Sequence, residues 1–159
     1  MSKFKGDHYC KVDAKGRILF PSRLKKQMPS EAGDVFIGKM NTFETSLILY
    51  PENVWDRLVS RTLKKLNPYK AKHNDFKRDF FKGVIEMELD GSGRVLLSKR
   101  FLEKIGVEAG QGEEVVLAGQ GDVVELMPRS KYEGTQLTDE QRVSIAEEVM
   151  DDFEWEDEG

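Results

Sequence analysis

Cysteine and histidine are scarce in this 159-residue chain, which has one cysteine, Cys10, and two histidines, His8 and His73. A lone cysteine excludes an intramolecular disulfide and suits a reducing compartment. His8 and Cys10 lie two apart, His73 is distant, and neither Cys-x-x-Cys nor His-Glu-x-x-His occurs, so no zinc set is spelled out. No apolar run approaches the roughly 20 residues of a membrane helix. The opening Met1-Ser2-Lys3-Phe4-Lys5-Gly6 has no apolar stretch behind its basic residues, so no secretory signal is read there. These absences predict a cytoplasmic protein with no membrane partner, no metal and no cofactor.

Enzyme chemistry is equally unsupported. Gly119-Gln120-Gly121 reads as a hairpin turn, without the following helix that a phosphate-cradling glycine loop needs. Glu86 and Glu88 alternate with Met87 and Leu89, the pattern of a strand with one wet face rather than an acid/base pair. No nucleophile or small-molecule substrate is nominated.

What the chain has is a core's worth of apolar residues, 38% of its composition with 9% aromatic, and an uneven charge. Residues 139–159 carry ten acidic side chains against one base, Arg142, a net of −9 within an overall −4, which leaves +5 on residues 1–138. A mildly basic body attracts different partners from a mildly acidic globule. The acidic stretch reads as a solvated, partly helical extension, with competition for the basic surface as the second possibility.

The chain also repeats itself. Asp13-Ala14-Lys15-Gly16-Arg17-Ile18-Leu19 returns as Asp90-Gly91-Ser92-Gly93-Arg94-Val95-Leu96, and Arg23 returns as Arg100, all at an offset of 77. A gap-free match of this kind marks a duplicated unit. In each copy an Asp opens a loop, a Gly supplies a position where φ > 0 costs nothing, and an Arg leads into an apolar strand. The downstream halves repeat as well, Val35 matching Val115 at an offset of 80 and Pro51 matching Pro128 at 77.

Periodicity predicts strands and turns to about residue 50, with a short helix after Pro21. A longer helix follows Pro51, with Val54, Leu58 and Leu66 in an apolar stripe that Trp55, Val59 and Leu63 join. A further helix is predicted over 69–82, with Phe76, Phe80 and Phe81 facing the core, and a last one from Asp139 to about Phe153 behind Thr138 as N-cap. One unit is thus β-β-(short α)-β-β-α-α and the other β-β-(short α)-β-β-α, an α+β, mainly β protein. Short strands broken by short helices favour a small barrel of two half-units. The division read from the sequence is 1–78 for the first repeat, 79–134 for the second and 135–159 for the acidic segment.

The paired Asp-x-x-Gly-Arg loops, each followed by an apolar strand and a Lys/Arg-bearing helix, resemble the MraZ family of the AbrB/MazE-like superfamily. Phe4-Lys5-Gly6, Pro21, Leu49-Tyr50-Pro51 and Asp79-Phe80-Phe81-Lys82-Gly83 add to the likeness, which runs from about Gly6 to about Tyr132. Ser98 stands where the family commonly has Pro, and Ser92 stands where the first loop has Lys15. The resemblance implies a double-split β-barrel built from two AbrB/MazE-like units with added helices. It also implies a sequence-specific, nucleoid-associated regulator of the division and cell-wall gene cluster that holds its own gene. Such proteins bind double-stranded DNA at promoter repeats as ring homo-oligomers, with these loops lining one surface.

Within that frame Arg17 and Arg94 are the leading candidates. A guanidinium beside a turn can give two hydrogen bonds to guanine O6 and N7 or grip a phosphate; alternatively each Arg pairs with its own loop Asp and stiffens the turn. Asp13 and Asp90, with Gly16 and Gly93, are read as loop-shaping, because a carboxylate facing phosphates is repelled. Lys15 adds phosphate attraction or is merely solvated. Arg23 and Arg100, with Lys25, Lys26 and Lys99, are backbone contacts or the wet faces of their helices. The bases of 64–82 read as a solvated or subunit-contact face. The rival reading is a structural or interaction protein, antitoxin-like, that binds a basic client.

Overall fold

The structure is a computed structural model that describes residues 3–30, 33–134 and 136–153. Elements follow the predicted order: β1 (Phe4–Lys11), β2 (Arg17–Leu19), α1 (Ser22–Lys26), β3 (Val35–Met40), β4 (Leu47–Pro51), α2 (Glu52–Lys64) and α3 (Ala71–Phe81) in the first repeat. In the second, β5 (Ile85–Glu88), β6 (Arg94–Leu96), α4 (Lys99–Ile105), β7 (Glu114–Gly121), β8 (Val123–Pro128) and α5 (Arg129–Gly134) precede α6 (Asp139–Val149). The chain divides into two compact units, Met1–Arg129 and Ser130–Gly159.

In the first unit the repeats exchange strands. Six strands form one antiparallel sheet in the order β1-β7-β8-β4-β3-β5, and β2 pairs β6 in a separate two-stranded ribbon. The first strand of each repeat lies against the third strand of the other, β1 on β7 and β5 on β3. The order reads the same from either end once the repeats are swapped, so a local two-fold relates them. Ile48 pairs Glu125 in the sheet and Ile18 pairs Val95 in the ribbon; each pair joins positions 77 apart, which puts both on that axis. Among the described residues the ladders leave β1 and β5 as free edges rather than closing into a barrel.

Register corrects one detail of the repeat. Phe36 pairs Pro51 while Val115 pairs Pro128, so Val115 matches Phe36 and not Val35. The glycine pair is also reassigned: Gly119 and Gln120 continue β7 opposite Gly6 and Lys5, and the chain reverses at Gly121-Asp122. A Cβ on Gly119 would overlap the Lys5 backbone, so the residue serves a close strand approach instead of a turn.

The core is the repeat expressed in packing. Val12, Ile18, Phe20, Leu24, Leu47 and Leu49 are buried, and so are their counterparts Leu89, Val95, Leu97, Phe101, Val124 and Leu126. Each such side chain contributes about 1.5–3 kcal/mol through burial, so matched positions stay apolar in both copies. α3 departs from expectation, since of its three phenylalanines only Phe80 is buried, while Phe76 and Phe81 are 46% and 37% exposed. The helix buries a narrow edge, on which Trp55 of α2 stacks against Phe80 at 5.6 Å.

In the second unit, α6 begins with a reciprocal cap. The Thr138 hydroxyl accepts from the Gln141 N–H at 3.1 Å, and the Gln141 side chain accepts from the Thr138 N–H at 3.0 Å, satisfying two otherwise unpaired donors. The helix ends at Val149, short of Phe153.

Candidate nucleic-acid interface

Both Asp-x-x-Gly-Arg segments fold as the same turn. The Asp13 carbonyl accepts from the Gly16 N–H at 3.0 Å and the Asp90 carbonyl from the Gly93 N–H at 3.0 Å. Gly16 and Gly93 take φ of 82° and 79°, a region that L side chains rarely enter. Each Asp carboxylate then turns inward. Asp13 Oδ1 accepts from the Lys15 and Arg17 N–H groups at 2.9 and 2.8 Å; Asp90 Oδ1 accepts from the Ser92 and Arg94 N–H groups, both at 2.9 Å. These bonds hold both carboxyls below their ordinary range. For Asp13 the Arg17 N–H dominates, and for Asp90 the Arg94 N–H does, helped by the Ser92 hydroxyl and the nearby Arg17 charge. Each aspartate thus bonds the backbone of its own loop.

The arginines differ. Arg17 Nε donates to Asp13 Oδ2 at 3.2 Å, so the stiffening alternative is realised in the first loop. It uses only Nε, and among the described residues the two terminal nitrogens of the fork make no hydrogen bond or ion pair. In the second loop the Ser92 hydroxyl occupies Asp90 Oδ1 at 2.8 Å, and among the described residues the Arg94 guanidinium makes no hydrogen bond or ion pair.

The ribbon brings both loops together. Arg17 pairs Leu96, Ile18 pairs Val95 and Leu19 pairs Arg94. Directly opposed residues share a face and successive ones alternate. Ile18 and Val95, at 1% and 2% exposure, therefore anchor the inner face in the core. The outer face carries Arg17 and Arg94 on one diagonal and Leu19 and Leu96, 58% and 57% exposed, on the other. Diagonal neighbours of an antiparallel pair lie about 7–8 Å apart. The sequence singles out neither leucine; alternation about Ile18 and Val95 is the signal that places both on the outer face.

Of the other candidates, Lys15 is exposed at the tip of the first loop and Arg23 is exposed on α1. Arg100 lies on α4 with its guanidinium packed over Gly83, turned toward the α3 end of the sheet. Cys10 is no nucleophile at neutral pH, since burial, with Glu114 nearby, pushes its thiol up to about 11.

Fold and site together define a class: a duplicated α+β, mainly β protein whose copies exchange strands and present matched Asp-x-x-Gly-Arg loops on a shared ribbon. The family model of the MraZ protein, described as antitoxin-like, matches residues 4–79 and again 80–154. The chain belongs to the MraZ family. The second match extends past Tyr132 and takes in α6, further than the residues that first suggested the likeness. Relatives named transcriptional regulator MraZ include that of Christiangramia forsetii, 41% identical over 94% of this chain and 95% of its own length. That of Flavobacterium psychrophilum is 36% identical over 94% and 93%, and that of Coxiella burnetii 34% over 82% of each.

Proposed function

We propose that this chain is a transcriptional regulator, not an enzyme, that reads duplex DNA through the outer face of the β2/β6 ribbon. The observation that carries the reading is the Arg17/Arg94 diagonal. A major groove about 12 Å wide admits a two-stranded ribbon, and a diagonal of about 7–8 Å spans about two base steps of 3.4 Å. The free fork of each arginine suits guanine O6 and N7. Leu19 and Leu96 suit thymine methyls. Lys15 and Arg23 add phosphate contacts.

One ribbon covers few base pairs, and a body of +5 attracts a duplex only modestly. Several copies on repeated boxes raise affinity through effective concentration, which favours a ring homo-oligomer and a double-split barrel as its repeating body. Free edges at β1 and β5 and exposed Tyr69, Phe76 and Phe81 supply surfaces for such contacts. The target is the promoter repeats of the division and cell-wall cluster that holds the protein's own gene, which places it in the cytoplasm at the nucleoid. Footprinting of that upstream DNA beside a scrambled duplex tests the proposal. Protection of spaced repeats is expected; equal protection of the scrambled duplex would favour the interaction-protein reading.

A further inference from the structure

A second basic feature lies apart from the ribbon, where α3 and α4 meet the end of β3. A cavity of about 280 Å³ is lined by Lys39, Lys82, Arg100 and Lys104, with Asp79 as the sole acid among its lining residues, and by Asn41 and Thr42. Four cations from three elements thus surround one carboxylate. Among the described residues none of the four makes a hydrogen bond or ion pair from its side chain.

Lys39 is the telling member. It is 9% exposed, and lysine is almost never buried without a partner. Its ammonium rests 4.7 Å over the Phe80 ring, which covers one side of the charge and leaves its hydrogen-bonding protons unused. Burial holds its pKa below the ordinary lysine value, with Asp79 opposing and Lys104 adding to the effect. Arg100 is exposed but has a neighbour against it. The Arg100 guanidinium lies against Gly83, where a Cβ would come within 2.9 Å of Cζ. Asn41 Oδ1 accepts from the Phe43 N–H at 2.9 Å, which leaves the Asn41 amide NH₂ as a donor.

We infer that this cavity is a phosphate-binding site that takes a small polyphosphate, anchored by Lys39, Arg100 and Lys104. A phosphate offers oxygens in several directions, matching donors that converge from several elements, and the guanidinium fork suits it. The volume sits just below the roughly 300–1,000 Å³ of drug-sized ligand pockets, which suits linked phosphates better than a complete nucleotide with buried base and sugar. α4 carries Lys99 and Leu102 beside the first loop and Arg100 and Lys104 beside this cavity, so the two sites share a helix. The inference does not rest on the DNA reading.

Calorimetric titration of the full chain with pyrophosphate tests it, with a short promoter duplex as the second arm. One saturable site per chain is expected. Lys39→Met, which keeps an unbranched apolar chain and removes the charge, and Lys104→Gln should each weaken pyrophosphate at least about tenfold, about 1.4 kcal/mol, while Arg17→Ala leaves it unchanged. Lys104 is exposed, so its replacement remains a fair test if Lys39→Met fails to fold. Unchanged affinity in Lys104→Gln, non-saturating heats, or loss in Arg17→Ala would each overturn the inference. Duplex affinity that falls in step with pyrophosphate affinity in Lys104→Gln would assign the cavity to a DNA backbone phosphate and overturn a free ligand.

Discussion

Replacing Arg94 by alanine separates recognition from folding. Its guanidinium bonds to nothing among the described residues, and the loop behind it is closed by Ser92 and by the Arg94 backbone, which an alanine retains. The thermal midpoint of Arg94→Ala should therefore match that of the parent. A bidentate arginine–guanine contact discriminates by about 1–3 kcal/mol, so specific affinity should fall about 5- to 150-fold for each engaged protomer. Affinity for a scrambled duplex should barely change. Lys15→Ala should do the reverse: it should weaken all duplexes alike and flatten the salt dependence by about 0.9 in log–log slope for each phosphate left unneutralised. Fluorescence anisotropy on operator and scrambled duplexes at two salt concentrations reads both ratios. An Arg94→Ala protein that melts normally and keeps the parental ratio of specific to non-specific affinity would refute base reading by the ribbon.

Two further outcomes follow from the geometry. Gly119→Ala should force β1 away from β7, because the overlapping atoms are Lys5 backbone and cannot rotate aside; overpacking of this kind costs about 1–3 kcal/mol, read as a lower urea midpoint at unchanged slope. Asp13 and Asp90 titrate below the ordinary carboxylate value of 3.8, so their contribution to the loops is complete above that value and is lost as pH falls through the lower folded-state values. Amide NMR shifts of Lys15, Arg17, Ser92 and Arg94 report this directly, and a transition centred above 3.8 would contradict the hydrogen-bonded loop.

Much of this was legible in the sequence, for identifiable reasons. The order of elements followed from alternation, from Pro21 and Pro51 at helix starts and from Thr138 as a cap, all local signals. The loop architecture was legible because Asp and Gly act on their own neighbours. Strand exchange was not, since pairing β1 with β7 depends on contacts about 110 residues apart, which no window of sequence reports. An i, i+4, i+5 aromatic spacing looks like a buried face, whereas α3 buries Phe80 alone of the three, stacked on Trp55, and leaves Phe76 and Phe81 exposed. The cation cavity was invisible for a similar reason: Lys39, Lys82, Arg100 and Lys104 are scattered in sequence, and Lys39 sits in a strand where nothing local marks it as buried.

Strand exchange also accounts for how the two copies have diverged. Because each repeat completes the other's ladder, the positions on the local axis, Ile48 with Glu125 and Ile18 with Val95, are constrained as partners and not as copies. Glu125 shows the latitude this allows. It stands where the first repeat has isoleucine, and it is buried because Ser46 Oγ and Gln120 Nε2 donate to its carboxylate at 2.7 and 3.0 Å, which offsets the cost of removing it from water. The loops follow the same logic. Backbone geometry fixes Asp and Gly in both, but the third position is free, and Lys15 and Ser92 fill it with opposite effect. Ser92 commits its hydroxyl to Asp90 and the Arg94 guanidinium has no hydrogen bond or ion pair among the described residues, while Lys15 is exposed and Asp13 holds Arg17 by Nε. One loop presents a positioned arginine beside an added charge, the other an untethered arginine alone. A two-fold fold thereby acquires an asymmetric face.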